Sequence, residues 1–213
     1  MEEKKRYKFF IAFILIAVIS VLSFFMNKYR FPARHFVFPA ALFLLPLLCD
    51  NTFRPKKLFL PSAKGFKLFL WVTVATIVFY PPLFFAYNIP FLHRNFIIPG
   101  SAQITSAVTK GLIAIAVAAI PEEFFFRGYL QEHVFASADR RIMKILSIKN
   151  LCTSIIFGLV HAFAFLDITR AATFFPSLLF GLFTEKSRGR IFYSISYHVV
   201  SNILAFILWT FIK

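Results

Sequence analysis

The sequence predicts an all-α protein, a polytopic bundle of about seven transmembrane helices, with six to eight as the range. Of its 213 residues 59% are hydrophobic and 15% are charged, and the mean hydropathy is +0.75. Long apolar runs recur along the chain and are separated by short segments that carry basic residues. This pattern is typical of membrane-spanning helices. Since no internal repeat or low-complexity linker divides the chain, residues 1–213 are predicted to form a single integral membrane domain.

The first three apolar segments have no polar motif. The first predicted span, about Phe9–Met26, follows a basic N-terminal stretch and has no small-residue cleavage site after it, so it is expected to be retained and not removed as a signal peptide. The second, about His35–Cys49, is short and contains two prolines, which favours a tilted, kinked or re-entrant segment. The third span is predicted at about Leu68–Tyr87.

Four further spans are predicted, and the first of them is interrupted by a proline. Their approximate limits are Ile104–Phe135, Ile145–Phe165, Ala172–Phe183 and Ile191–Ile212. Pro121 is expected to bend the fourth span because proline removes one backbone hydrogen bond. The sixth span is the shortest of the four.

The basic residues predict topology. The net charge is +15, but the Lys and Arg residues lie in short loops between apolar runs, which is typical of topology signals and of contacts with anionic lipid. Nucleic acid is therefore not an expected partner, whereas the lipid bilayer is. With the N-terminus inside, most basic residues fall on the cytoplasmic side, which predicts an N-inside protein. The small size of the chain predicts a prokaryotic cytoplasmic membrane.

Carboxylates and a guanidinium interrupt the apolar character of the fourth span. A charged side chain at the bilayer centre costs roughly 2.5–3.5 kcal/mol on insertion scales, so such groups are paired or functional. Glu123 and Arg127 are four residues apart and share a helix face, so they are expected to pair. Glu122 points about 100° away and has no local counter-charge. The spacing predicts one structural carboxylate, Glu123, and one working carboxylate, Glu122.

Two later spans carry polar residues that are expected to meet these carboxylates. Phe157 and His161 are four residues apart in the fifth span, and His198 and Asn202 are four apart in the seventh. Each pair therefore shares a helix face. A glutamate, two histidines and an asparagine inside a bundle make a plausible site for activating water.

These three motifs together resemble those of the CPBP intramembrane proteases. The matching patterns are Glu122-Glu123-xxx-Arg127, Phe157-xxx-His161 and His198-xxx-Asn202. The family includes the type II CAAX prenyl endopeptidases and bacterial relatives. The resemblance covers about residues 105–208, the predicted protease-like core.

The resemblance implies an intramembrane endopeptidase. Glu122 would act as the base, and His161 would hold and polarise the water. His198 and Asn202 would donate hydrogen bonds to the oxyanion. The supporting residues would be Glu123 and Arg127, as an ion pair, and Phe157, packed against His161. The expected substrate is a membrane protein or lipidated peptide, cleaved near its C-terminus or membrane anchor.

A metal-dependent version of the same chemistry remains open. Glu122, His161 and His198 are also a feasible zinc ligand set that leaves one position for water. The compact spacing of an HExxH helix is absent, so we favour a mechanism without a metal or other cofactor. Cys49 and Cys152 lie in or beside apolar segments and are expected to be buried hydrophobes.

Other functions are compatible with the same residues. The chain could be a non-catalytic membrane scaffold or a bacteriocin-immunity relative, in which the polar cluster is structural. Intramembrane Glu and His also mark ion pathways, but no two-fold repeat supports a transporter.

His35, His93 and His133 lie near predicted membrane boundaries and are assigned no chemistry. The charged segment 184–190 is unusual for the family and bears on substrate access.

Overall fold

A computed structural model describes residues 2–142 and 145–213. The predicted all-α bundle is confirmed, and the only strands in these residues are a short hairpin, Arg141–Ile142 paired with Leu146–Ser147. Lys144 and the side chain of His35 lie outside the described part. The helices are α1 (Glu2–Lys28), α2 (Arg34–Cys49), α3 (Ala63–Phe91), α4 (Ser101–Val134), α5 (Ile148–Phe165), α6 (Phe174–Lys186) and α7 (Phe192–Trp209).

Each of the seven predicted spans corresponds to a helix, but the helices differ in length. In the described residues α1, α3, α4, α5 and α7 are long and apolar enough to cross a membrane. At 1.5 Å per residue, the 16 residues of α2 and the 13 of α6 extend only about 24 and 20 Å. The helix α6 begins later than the predicted sixth span because residues Ile168–Thr173 form a 3₁₀-helix before it.

The helices run between two ends of the molecule. At one end, Ile191 N donates to Leu58 O at 2.8 Å and the Arg190 guanidinium donates to Pro61 O at 2.7 Å. At the other, the backbones of Asn95 and Lys213 exchange two 3.0 Å hydrogen bonds. We call these the basic end (residues 50–62, 135–142, 145–147 and 187–191) and the C-terminal end (28–33, 92–100, 166–173 and 210–213).

The helix α4 departs from α-helical geometry around Pro121. Residues Ile115–Ala119 and Glu123–Val134 are π-helical, with hydrogen bonds from i to i+5, and the short turn Ile120–Glu122 separates them. Proline cannot donate to the preceding turn, so a change of hydrogen bonding at this point is expected. The structure shows this change as π-helical bonding on both sides of the turn that contains Pro121. Such π-helical segments are rare and frequently lie at functional sites.

The second half of α4 is the centre of the bundle. Every residue from Pro121 to Gln131 is buried, under packing from α1, α2, α5 and α6. At Gly128 an added Cβ would lie 2.7 Å from Leu58 Cδ2, so a larger residue here would displace the Leu58 side chain of the loop after α2. The motif of the fourth span is therefore held in the best-packed part of the chain.

Candidate active site

The three sequence motifs converge between α4, α5 and α7. Glu122 Oε2 lies 3.7 Å from His161 Nε2 and 3.9 Å from His198 Nε2. These distances are too long for direct hydrogen bonds, which end near 3.2 Å. They leave the Glu122 carboxylate facing two imidazole nitrogens with room for a small bridging group.

The orientation of His161 is fixed by Phe157 in two ways. His161 Nδ1 lies 2.9 Å from the Phe157 carbonyl oxygen, which can only accept a hydrogen bond, so Nδ1 carries the proton. The two rings also stack, with centroids 4.2 Å apart. In the neutral ring, Nε2 therefore presents its lone pair to Glu122.

His198 lies between the two carboxylates. Its Nδ1 is 3.0 Å from Glu123 Oε1, and its Nε2 faces Glu122. The ring stacks on Phe180 of α6, with centroids 4.5 Å apart. Our sequence analysis assigned His198 to the oxyanion or to a zinc ligand set, and the structure adds this contact with Glu123.

Glu123 and Arg127 form the buried pair that their spacing predicts. Arg127 Nε lies 3.5 Å from Glu123 Oε2, and both side chains are fully buried. Ser194 of α7 donates to the same carboxylate, and Ser177 of α6 accepts from Arg127. The Arg127 guanidinium also donates to Gln131 Oε1 at 3.1 Å. This network joins α4, α6 and α7.

The two adjacent carboxylates thus have opposite surroundings. The Glu122 side chain keeps 10% of its surface exposed and the His161 side chain 19%, whereas the Glu123 side chain is fully enclosed. Within the described residues, Glu122 has no hydrogen-bond partner from another side chain. Glu122 thus keeps a small accessible surface, whereas Glu123 has none.

Asn202 is near this group but not in contact with it. It lies one turn beyond His198 on α7 and is half-buried. Among the residues that the structure describes, no hydrogen bond joins Asn202 to Glu122, His161 or His198. The predicted oxyanion role of Asn202 therefore requires a rearrangement or a bound substrate.

Three residues of the network were missed by sequence analysis. Ser194 lies four residues before His198, and Gln131 lies four residues after Arg127, so helical spacing alone could have indicated both. Ser177 comes from a different helix, and no sequence signal points to it. Gln131 Nε2 also donates to Gly181 O at 3.1 Å, which fixes α6 against α4.

The candidate zinc ligands are oriented as metal-bound histidines often are. A backbone carbonyl holds Nδ1 of His161 and a carboxylate holds Nδ1 of His198, and such partners commonly orient metal ligands. However, in residues 2–142 and 145–213, no group of three His, Cys, Asp or Glu side chains has the arrangement of a metal site.

Asp50, Thr52 and His133 form a second polar cluster at the basic end. Asp50 Oδ2 lies 3.1 Å from His133 Nε2, and Thr52 donates to Asp50 Oδ1 from its hydroxyl at 2.5 Å and from its backbone at 2.9 Å. Burial raises the pKa of Asp50, but these hydrogen bonds and the nearby imidazole outweigh burial and leave the pKa below its usual value. His133, to which we assigned no chemistry, thus connects the end of α4 with the loop after α2.

The charged segment 184–190 is also held at the basic end. Glu185 accepts a hydrogen bond from Ser147 and lies 3.8 Å from Arg141 Nη2. Arg190 reaches Pro61 O, as described above. The charges that distinguish this segment thus join the loops after α2, α4 and α6.

The comparison with family models agrees with the motifs. Residues 104–204 match the family described as "Type II CAAX prenyl endopeptidase Rce1-like". The matched segment contains every candidate site residue, and the resemblance to CPBP proteases is confirmed. No curated protein and no solved structure matches the chain significantly.

Proposed function

From the match of residues 104–204 to a family of CAAX-type intramembrane proteases, we propose that the chain is an intramembrane endopeptidase. It hydrolyses a peptide bond near the C-terminus or membrane anchor of a membrane protein or lipidated peptide. The observation that carries this proposal is the position of Glu122, whose side chain keeps 10% of its surface exposed and faces Nε2 of both His161 and His198.

The nucleophile in this proposal is a water molecule between Glu122 and His161. Both groups are hydrogen-bond acceptors, because the His161 proton is held by Phe157 O, so one water can donate to each. Glu122 removes a proton as the water oxygen attacks the carbonyl carbon of the peptide. Protonated Glu122 then gives that proton to the leaving amine nitrogen when the C–N bond breaks.

The oxyanion is stabilised by His198 and Asn202 in this proposal. His198 lies between two carboxylates, so we assign it as an imidazolium that donates from Nδ1 to Glu123 and from Nε2 to the oxyanion. Its positive charge and that of Arg127 then balance Glu122 and Glu123. The Asn202 side-chain amide supplies a second donor once a substrate occupies the space beside it.

A cleavage assay with protein reconstituted in lipid vesicles tests the function. Wild type, Glu122→Gln and the surface control Asp167→Asn are compared on a panel of C-terminally anchored and C-terminally lipidated peptides. We expect wild type and Asp167→Asn to cleave a common peptide and Glu122→Gln to leave it intact. If folded Glu122→Gln cleaves as fast as wild type, the proposed mechanism is wrong.

The zinc-dependent alternative is supported by the carbonyl and carboxylate that hold Nδ1 of each histidine. If zinc is bound, Glu122, His161 and His198 would hold it, and it would lower the pKa of a bound water. A chelator, followed by addition of zinc, separates the two versions. Activity that resists the chelator supports the metal-independent mechanism, and activity that is lost and then restored by zinc supports the alternative.

The non-catalytic alternative, a scaffold or a bacteriocin-immunity protein, has its own test. Expression of Glu122→Gln in cells that depend on the protein separates the two roles. A scaffold or immunity protein should tolerate Glu122→Gln, because this side chain makes no hydrogen bond that holds the fold. A protease should not tolerate it.

We also propose that the protein lies in a prokaryotic cytoplasmic membrane with its N-terminus inside. Lys8 lies near His133, at the same end of the molecule as the basic loops, and basic residues concentrate on the cytoplasmic side of membrane proteins. In a chain without Cys49 and Cys152, one new cysteine replaces Lys57 or Arg94. An impermeant maleimide added to intact cells should label Arg94→Cys and not Lys57→Cys, and the reverse result would invert the orientation.

A further inference from the structure

Two segments that meet at the basic end carry many cations and no carboxylate. They are residues 51–67, which include the first turns of α3, and residues 186–190. We call their cations the basic patch: Arg54, Lys56, Lys57, Lys64, Lys67, Lys186, Arg188 and Arg190. All of these residues are exposed except Arg190, which is half-buried.

Direct contacts bring the two segments of the basic patch together. The Arg190 guanidinium donates to Pro61 O at 2.7 Å, just before α3 begins. In the first turn of α3, a Cβ added at Gly65 would overlap Ser187 Oγ. Cations from distant parts of the chain therefore belong to one surface, and their fields add.

The protein does not neutralise this surface. Within residues 2–142 and 145–213, no ion pair includes a member of the basic patch. Glu132 Oε2 would lie 3.3 Å from a Cβ added at Gly189, but the Glu132 carboxylate already pairs with Lys149 at 3.1 Å. Glu185 lies 3.8 Å from Arg141, and its side chain is only 2% exposed. Both neighbouring carboxylates are thus engaged, and the basic patch attracts anions from outside the chain.

One face of α3 continues from the basic patch into an apolar surface. Trp71, Val74 and Val78 follow Lys64 and Lys67 at intervals of three or four residues, so the five residues share one side of the helix. All five are exposed, and only 6% of the membrane-crossing window of α3 is buried. This face therefore presents two ammonium groups at its beginning and an apolar surface beyond them.

That order of groups matches an anionic phospholipid. Lysines immediately outside a membrane span attract anionic lipid headgroups, and long lysine side chains at helix ends reach the headgroup level. A soluble anion would contact only the lysines, whereas a phospholipid also covers the apolar residues of the same face. The charge and the apolar face together favour lipid over a soluble acidic partner.

We propose that this face of α3 binds an anionic phospholipid. Lys64 and Lys67 contact its phosphate, and its acyl chains lie along Trp71, Val74 and Val78. The other cations of the basic patch strengthen the attraction, which weakens with added salt. The site is separate from the carboxylates of α4, and its occupation does not depend on the proposed protease function.

Quenching of Trp71 by brominated lipid tests this site without a cleavage assay. The chain has two tryptophans, so Trp209→Phe leaves Trp71, about 10 Å along α3 from Lys64, as the only one. The protein is placed in phosphatidylcholine nanodiscs that contain a rising fraction of either phosphatidylglycerol or phosphatidylcholine with brominated acyl chains. We expect the phosphatidylglycerol to reach half-maximal quenching at a roughly fivefold lower mole fraction, the ratio expected for one contact of a lysine with anionic lipid.

Variants then assign the preference to the two lysines. In the Trp209→Phe background, the double variant Lys64→Gln and Lys67→Gln should be quenched equally by the two lipids. The matched control, Lys28→Gln with Arg94→Gln, removes two exposed cations from the C-terminal end and should keep the preference. Equal quenching in the parent, or a preference that survives Lys64→Gln and Lys67→Gln, overturns the proposal.

Competition separates lipid from soluble anions. Inorganic phosphate or a hexaglutamate peptide is added at millimolar concentration, with the ionic strength held constant by chloride. We expect neither to remove the preference for phosphatidylglycerol, because the acyl chains keep the lipid beside α3. Loss of the preference with phosphate would assign the lysines to free phosphate, and loss with the peptide would assign them to an acidic protein segment. Either result contradicts a lipid site.

Discussion

Glu122 and Glu123 are neighbours in the sequence, yet they belong to regions of the molecule with opposite properties. The locked region, built from Glu123, Arg127, Gln131, Ser177 and Ser194, is fully buried, and side-chain hydrogen bonds join its members. The open region, built from Glu122, His161 and Asn202, is partly exposed and has no hydrogen bond between its members in the described chain.

The difference shows how a membrane protein can keep a reactive carboxylate. His198 belongs to both regions, since one ring nitrogen is held by Glu123 while the other faces Glu122. The locked region positions His198 before a substrate arrives, which is the kind of preorganisation that electrostatic stabilisation requires. The open region leaves Glu122 without a hydrogen bond from another side chain, as the proposed general base requires. Four experiments test this division into a locked and an open region.

The largest effect is expected for Glu122→Gln, which removes the proposed base. Peptide cleavage should fall by about 10²–10⁴-fold, the usual contribution of a general base. The thermal unfolding temperature should change little, because Glu122 makes no hydrogen bond that holds the fold. Cleavage rates and unfolding of the same nanodisc preparation measure both. A large loss of stability would show that Glu122 belongs to the locked region after all.

The second-largest effect is expected for Arg127→Ala, which should lower the free energy of unfolding. It leaves His198 as the one positive charge beside Glu122 and Glu123, and breaking one partner of a buried pair costs about 3–5 kcal/mol. Denaturant unfolding in detergent measures this loss. Arg170→Ala, an exposed arginine with an exposed partner, is the control and should cost less than about 1 kcal/mol. Similar costs for the two variants would contradict the division.

A smaller effect is expected for Ser194→Ala, which removes one hydrogen bond to Glu123. The free energy of unfolding should fall by about 1.5–3 kcal/mol, the value for a hydrogen bond to a charged group. Because Glu123 then holds His198 less firmly, kcat should fall while KM stays constant. Ser196→Ala, two residues along the same helix and bonded only to its own helix, is the matched control. If both serine variants behave alike, Ser194 does not position His198.

The smallest effect is expected for Asp50→Asn at the basic end. The pKa of Asp50 is lowered in the folded state, so its carboxylate contributes stability above the ordinary pKa, and this contribution disappears as pH falls through the lower folded pKa. Asp50→Asn should cost about 1 kcal/mol at pH 7, and the difference from wild type should shrink as the pH falls below about 4. Thermal unfolding from pH 7 to pH 3 measures it. A difference that is constant with pH would exclude a contribution from the carboxylate charge.

The sequence predicted the helices and the motif partners where the signal was local. Apolar runs located all seven helices, and spacing of four predicted the Glu123–Arg127 pair and the Phe157–His161 contact. The sequence analysis expected the three motifs to meet. The structure places Glu122 Oε2 within 4 Å of Nε2 of both histidines. The segments before residue 104 have no polar motif, so the sequence predicted them only as membrane-spanning helices.

The features that the sequence could not indicate depend on packing between distant segments. Ser177 meets Arg127 because α6 crosses α4 there, and a serine on an apolar helix gives no sign of its partner. His133 meets Asp50 across 83 positions of the chain. The π-helical bonding of α4 was not predicted, because a pattern read at 100° per residue assumes α-helical geometry throughout.

The shortness of α2 and α6 has a consequence for the membrane itself. Both helices pack on the π-helical half of α4, and both are shorter than the roughly 30 Å of hydrocarbon in an average bilayer. A bilayer adapts to short apolar segments by thinning beside them. The lipid beside α2 and α6 is then expected to be thinner than the lipid beside α3, and in the proposed protease a polar peptide would cross less hydrocarbon to reach Glu122. The acyl-chain length of the lipid should therefore affect the rate of cleavage as well as the stability of the helices.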